Sequence, residues 1–130
     1  MAKILFVVPV IRAEDSPRHV HMGIAFAARL ADKAGHQVQI LDCNAWRPDD
    51  SILKEALQAD QWDVVATGGI TTAYGYVKKI VRFARELSPK SLIVIGGGVL
   101  TSLPVEVMAW LPQVDIGVIG EAFETWPEIL

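Results

Sequence analysis

Two short stretches of this chain place glycine beside hydroxyl side chains: Thr67-Gly-Gly-Ile-Thr-Thr72 and Gly96-Gly-Gly-Val-Leu-Thr101. Glycine lets a backbone approach a bulky ligand and adopt positive φ, and neighbouring threonines supply short polar contacts, so both stretches suit the holding of a small molecule. Each alone reads equally well as a tight strand-to-helix turn. Two such loops side by side favour a site. Neither fits GxGxxG and no GxxxxGK[ST] occurs, which disfavours a dinucleotide or P-loop nucleotide.

Other reactive groups are sparse. His19 and His21 precede a helical stretch, where an imidazole could reach a ligand, a metal or a phosphate, or cap the helix. His36 follows Gly35 on the opposite rim and reads as structural. Glu14, Asp15 and Asp42 offer carboxylates for acid-base work, although solvated loop charges explain them as well. No serine nucleophile elbow is present. Cys43 is the one cysteine, which excludes an internal disulfide, a CxxC pair and a Cys/His zinc cluster; a buried thiol is the simplest reading. Trp46, Trp62, Trp110 and Trp126 are spaced as separate packing anchors, with Trp46 alone in a ligand-side loop. Catalytic machinery is not visible.

The elements that position these loops follow from periodicity. Apolar runs at 4–8, 38–41, 64–66, 92–95 and 116–119 are near-continuous, as in a parallel sheet covered on both faces, where antiparallel strands would alternate with polar residues. Between them, 22–33, 51–59, 74–87 and 102–110 carry amphipathic helical spacing, and a last helix is expected from Ala122 to Leu130. Gly35 stands where a left-handed C-cap is needed, and Asp49, Asp50 and Ser51 are candidate N-caps. Five βα units predict a single doubly wound α/β domain over residues 1–130, flavodoxin-like, in three layers α/β/α, with strand order 2-1-3-4-5. Ligands of such sheets bind in the crevice at the carboxyl ends of the strands, so the loops at 9–20, 42–50, 68–73, 96–101 and 120–122 are the candidate site. Apolar residues make up 52% of the 130, so one substantial core is expected, and a net charge of -3 without basic stripes argues against nucleic acid. The amino terminus is too short in apolar residues for a signal or membrane segment, and a reducing, cytoplasmic compartment fits the lone cysteine.

Taken together, His21-Met-Gly-Ile-Ala-Phe-Ala-Ala-Arg-Leu-Ala-Asp-Lys-Ala-Gly-His36, Gly96-Gly-Gly-Val-Leu-Thr-Ser-Leu-Pro104 and Gly120-Glu-Ala-Phe-Glu-Thr125 resemble the amino-terminal cobalamin-binding domain of cobalamin-dependent radical SAM enzymes. Members show a helix ending in Gly-His, a GISxxT-like third loop, a GGxxxTxxP fourth loop and a GE(G/A)xET ending. The resemblance covers nearly the whole chain. It implies a corrinoid lying across the carboxyl edge, its nucleotide tail descending between the glycine loops, with Gly68, Gly69, Thr71, Gly96, Gly97, Thr101, Gly120 and Glu121 in contact. Thr125 matches the closing motif. The DxHxxG motif that supplies an axial histidine elsewhere is absent, which leaves His21 as a weak candidate for cobalt. A CxxxCxxC cluster motif is also absent. The resemblance therefore implies a piece of a longer methyltransferase or cyclase, whose S-adenosylmethionine and iron-sulfur cluster belong to a radical SAM domain outside these residues. An alternative is the acceptor-side, amino-terminal domain of a nucleotide-sugar glycosyltransferase, whose opening strand and helix the first 36 residues resemble. A receiver-like domain is disfavoured because Thr67, not aspartate, ends the third strand.

Overall fold

The structure is a computed structural model and describes residues 1–12, 14, 21–120 and 125–129. Five strands, β1 (Lys3–Val8), β2 (Gln37–Asp42), β3 (Val64–Gly68), β4 (Leu92–Gly96) and β5 (Ile116–Gly117), form one sheet in the order β2-β1-β3-β4-β5. All its pairings are parallel. The helices are α1 (Met22–Lys33), α2 (Cys43–Trp46), α3 (Asp50–Gln58), α4 (Tyr74–Leu87), α5 (Gly98–Thr101), α6 (Pro104–Trp110) and α7 (Thr125–Ile129), with a 3-10 turn at Thr71–Ala73. The doubly wound, three-layer α/β fold expected from periodicity is the fold observed.

Successive strand residues point to opposite faces, and β1 divides its apolar side chains accordingly. Leu5 and Val7 join Val65, Ile93 and Ile95 in one cluster, closed by Leu53 and Leu57 of α3, Val77, Ile80 and Ala84 of α4, and Val107 of α6. Ile4, Phe6 and Val8 join Val64, Ala66 and Val94 in the other, covered by Ile24, Ala28 and Ala31 of α1 and by Trp126 of α7. One face thus carries α3, α4 and α6; the other relies on α1 and a short terminal helix.

Local chemistry sets the element ends. Gly35 takes φ +91° just past α1, where the C-cap was expected. Asp49 is the N-cap of α3, its carboxylate accepting from the Ile52 N–H. Ser51 donates to the same carboxylate, and chiefly through that bond holds Asp49 below the usual carboxylate range. His36 is structural: its Nδ1 accepts from the Ala2 N–H at 2.9 Å. From the last turn of α4, Arg85 donates to the carbonyls of Pro89 and Gln113 and to Asp115, whose carboxylate also accepts from the Ile93 N–H. This clamp holds the short β5 against β4.

The elements differ from expectation in four places. The expected helix over 102–110 starts late, at Pro104, because that proline forces Leu103 out of the helical region to φ -141°, ψ 68°, and a separate short α5 at Gly98–Thr101 precedes it. A short α2 follows β2 at once, capped by Asp42, whose carboxylate accepts from the Ala45 N–H. The apolar stretch at 38–41 is an edge strand, paired only with β1, so Ile40 is 46% exposed. β5 ends at Gly117, two residues early. The terminal helix starts at Thr125 among the described residues, and the expected start at Ala122 lies outside them. No described helix is long and apolar enough to cross a membrane.

Candidate functional site

The carboxyl ends of β3 and β4 are built so that their loops touch backbone to backbone. A Cβ on Gly68 would stand 2.2 Å from the Gly96 carbonyl oxygen, and one on Gly97 would stand 3.0 Å from the Gly69 carbonyl oxygen. Both residues also hold positive φ, +154° and +83°, which side chains rarely adopt. The approach is locked by the Val99 N–H, which donates to the Gly69 carbonyl at 2.7 Å. The fifth loop is tied in by the Gly120 N–H, which donates to Thr101 Oγ1 at 3.1 Å.

Beneath these loops, between the sheet and α1, lies a cavity of about 450 Å³. Its floor is Phe6, Ala66, Val94 and Val118, and its wall is Ile24, Ala27 and Leu30 of α1. Trp126 closes the far side, its ring edge-on to Phe6 at 5.6 Å and its Nε1–H donated to the Ala27 carbonyl at 3.0 Å. The space exists because Ala66 and Ala27 are small where the strand and helix would otherwise fill each other's surface. Gly68, Gly96, Gly97 and Gly120 line its mouth. The result is a pocket with polar backbone at the rim and hydrocarbon within. Its volume is about three times the ~150 Å³ that admits a benzene molecule between aliphatic side chains.

His21 stands at the same mouth. It is the N-cap of α1, and its Nδ1 accepts from the Ile24 N–H at 3.1 Å. A neutral ring that accepts through Nδ1 carries its proton on Nε2. Burial lowers the pKa of His21, partly opposed by its own backbone hydrogen bond and by the charge of Asp42, so the neutral capping form is favoured. Capping and cobalt ligation compete for this ring: Nε2 has a lone pair for a metal only if the proton moves to Nδ1 and the cap is lost. Among the described residues no group of three His, Cys, Asp or Glu side chains is placed to hold a metal ion.

Of the other residues singled out by sequence, Gly69 lies beside the mouth, where an added Cβ would come within 3.8 Å of His21 Nε2. Thr101 acts on the mouth through Gly120, without lining the cavity. Thr71 is directed elsewhere, lining a second hollow of about 330 Å³ with Tyr74, Leu103 and Trp110. Glu121 and His19 lie outside the described residues. Cys43 is fully buried; burial pushes its thiol up, and its bond with Tyr76 only partly opposes that. The expectation that the tryptophans serve as packing anchors holds for the buried Trp62 and Trp126, the latter also closing the cavity, and fails for Trp46, 81% exposed, and Trp110, 54% exposed. Phe6, Ala27, Ala66, Val94 and Val118 carry no local motif; a small residue within an apolar strand and another within the facing helix are the only trace.

Comparison with solved structures places two forms of one protein close in fold. The cobalamin-dependent S-adenosylmethionine radical enzyme OxsB, with aqua-cobalamin and S-adenosylmethionine bound, superposes with a TM-score of 0.77 at 13% identity over 99% of this chain. The form with aqua-cobalamin alone gives 0.77 at 12% identity over the same share. The chain spans 18% of the length of either. No curated protein matches it in sequence. Residues 8–130 match the B12 binding domain, which favours the cobalamin reading over the glycosyltransferase alternative. The chain belongs to the B12 binding domain family.

Proposed function

We propose that residues 1–130 form the cobalamin-holding domain of a longer, cytoplasmic radical SAM enzyme, a methyltransferase or a cyclase. The observation that carries this reading is the apolar cavity opening under the two interlocked glycine loops, where a corrinoid on the carboxyl edge would insert its nucleotide tail. In that arrangement Gly68, Gly96, Gly97 and Gly120 admit the tail, with Gly69 beside the mouth and Thr101 tying the fifth loop to it, while Thr71 faces the second hollow and takes no part. Phe6, Ala66, Val94 and Trp126 keep water from the base. His21 presents its Nε2–H to acceptors of the ligand at the rim. When bound, cobalamin supplies a cobalt centre for group or electron transfer. S-adenosylmethionine and an iron-sulfur cluster would be held by a second domain, consistent with the share of OxsB that this chain spans.

The test is retention of hydroxocobalamin by the purified 130-residue chain through desalting, followed by corrinoid absorbance. Ala27→Phe, which fills the cavity from the helix side, is expected to abolish retention while far-UV circular dichroism stays unchanged. No retention by the unaltered chain, or undiminished retention by Ala27→Phe, refutes the reading. A CxxxCxxC motif in the continuing reading frame is the matching expectation for the parent enzyme.

A further inference from the structure

We infer that the cavity selects corrinoids whose lower base is an apolar benzimidazole over those whose lower base is a purine. The inference rests on the cobalamin reading above and concerns what the cavity wall offers a base once it is inside.

Among the described residues the wall offers no free polar side chain below the rim. Its inner surface is Phe6, Ile24, Ala27, Leu30, Val94 and Val118. Among the described residues Trp126 is the one inner side chain with a polar atom, and its Nε1–H is already donated to the Ala27 carbonyl. Thr67 touches the cavity, but it lies in register with Val7 and Ile95, whose side chains belong to the opposite cluster, and its hydroxyl donates to the Val7 carbonyl at 2.7 Å. The flanking strand backbone is engaged in the parallel ladders of β1, β3 and β4. His21 and the glycine backbones are polar, but they stand at the mouth, away from the inner wall.

Dimethylbenzimidazole places methyl groups and ring C–H in such a space. Adenine places an exocyclic amine and two further ring nitrogens there, each losing water without gaining a partner. A buried polar group left unpaired weakens binding enough to separate the two corrinoids by about 10- to 100-fold. The discrimination is of the kind in which a pocket rejects an analogue because its polar atoms find no partner.

The experiment titrates the 130-residue chain with three corrinoids: cobinamide, which lacks the nucleotide tail, cobalamin, and its adenine-bearing analogue. Binding is read from corrinoid absorbance after equilibrium dialysis. Cobalamin is expected to bind tightest, with the adenine analogue about 10- to 100-fold weaker. Val118→Thr, which sets one hydroxyl in the wall at nearly unchanged shape, is expected to narrow that ratio while a thermal melt confirms folding. Equal affinity for cobalamin and the adenine analogue, both above cobinamide, overturns the selection and leaves the cobalamin reading intact. Binding of none of the three overturns the cobalamin reading itself. A Val118→Thr ratio equal to that of the unaltered, folded chain overturns the assignment of selectivity to the wall.

Discussion

Gly68→Ala measures how tightly the third and fourth loops are joined. The new Cβ would lie 2.2 Å from the Gly96 oxygen and 2.8 Å from the Gly96 carbonyl carbon, both main-chain atoms that no rotamer change can move. Separating the loops is an overpacking of about 1–3 kcal/mol. Holding alanine at φ +154° adds strain of about 1–3 kcal/mol. The expected loss is about 2–6 kcal/mol, a large part of the roughly 5–15 kcal/mol that stabilises a domain. Gly75→Ala is the control. It makes the same chemical change in the first turn of α4, where an added Cβ meets nothing within 4 Å, and replacing a helical glycine stabilises by up to about 1 kcal/mol. Urea unfolding followed by circular dichroism reads both, with the slope reporting whether two-state behaviour holds. The two substitutions should move the midpoint in opposite directions. A Gly68→Ala midpoint within experimental error of the parent would show that the loops are not in backbone contact, and the shape of the cavity mouth would have to be redrawn.

Three further outcomes are expected. His21→Ala should destabilise by about 1 kcal/mol through loss of the cap, and His21→Asn by less, in thermal melts. Because burial holds the folded-state pKa of His21 below its ordinary 6.5, the unfolded chain takes up protons first. Stability therefore falls as pH drops from about 6.5 toward the folded value, and His21→Asn should remove that part of the slope. Arg85→Lys should cost about 1–2 kcal/mol, since one ammonium cannot span the carbonyls of Pro89 and Gln113 together with Asp115; an unchanged urea midpoint counts against the clamp. Thr101→Val should leave the melting temperature nearly unchanged but speed corrinoid release in stopped-flow traces, because it frees the fifth loop from the fourth. An identical release rate would mean that this bond does not shape the site.

The two long helices over 22–33 and 74–87 are legible to the residue, since their apolar spacing is regular and each ends in a recognisable breaker. The strand order follows from alternation of strand and helix with one reversal. Legibility fails where a single backbone constraint overrides a continuing pattern, as Pro104 does inside an otherwise helical stretch, or where an apolar strand lies at a sheet edge, as with Ile40. Gly68 and Gly97 announce themselves because close backbone approach and positive φ suit no other residue. The cavity does not. It arises between Ala66 on a strand and Ala27 on a helix, and its last wall, Trp126, bonds to a carbonyl ninety-nine residues earlier in the chain. Small residues in separate elements mark a void only once the elements are packed.

That void has a thermodynamic side. A face of the sheet covered by one long helix and a terminal tryptophan lacks part of the interior that the opposite face possesses, so the empty chain sits below the stability its sheet could support. A molecule that enters completes the interior and draws the folding equilibrium with it, by about 2.7 kcal/mol at a hundredfold excess over the dissociation constant. Occupancy and survival then become one variable: chains without ligand unfold and meet proteases more often, and the steady-state pool is enriched in loaded domains without any dedicated surveillance.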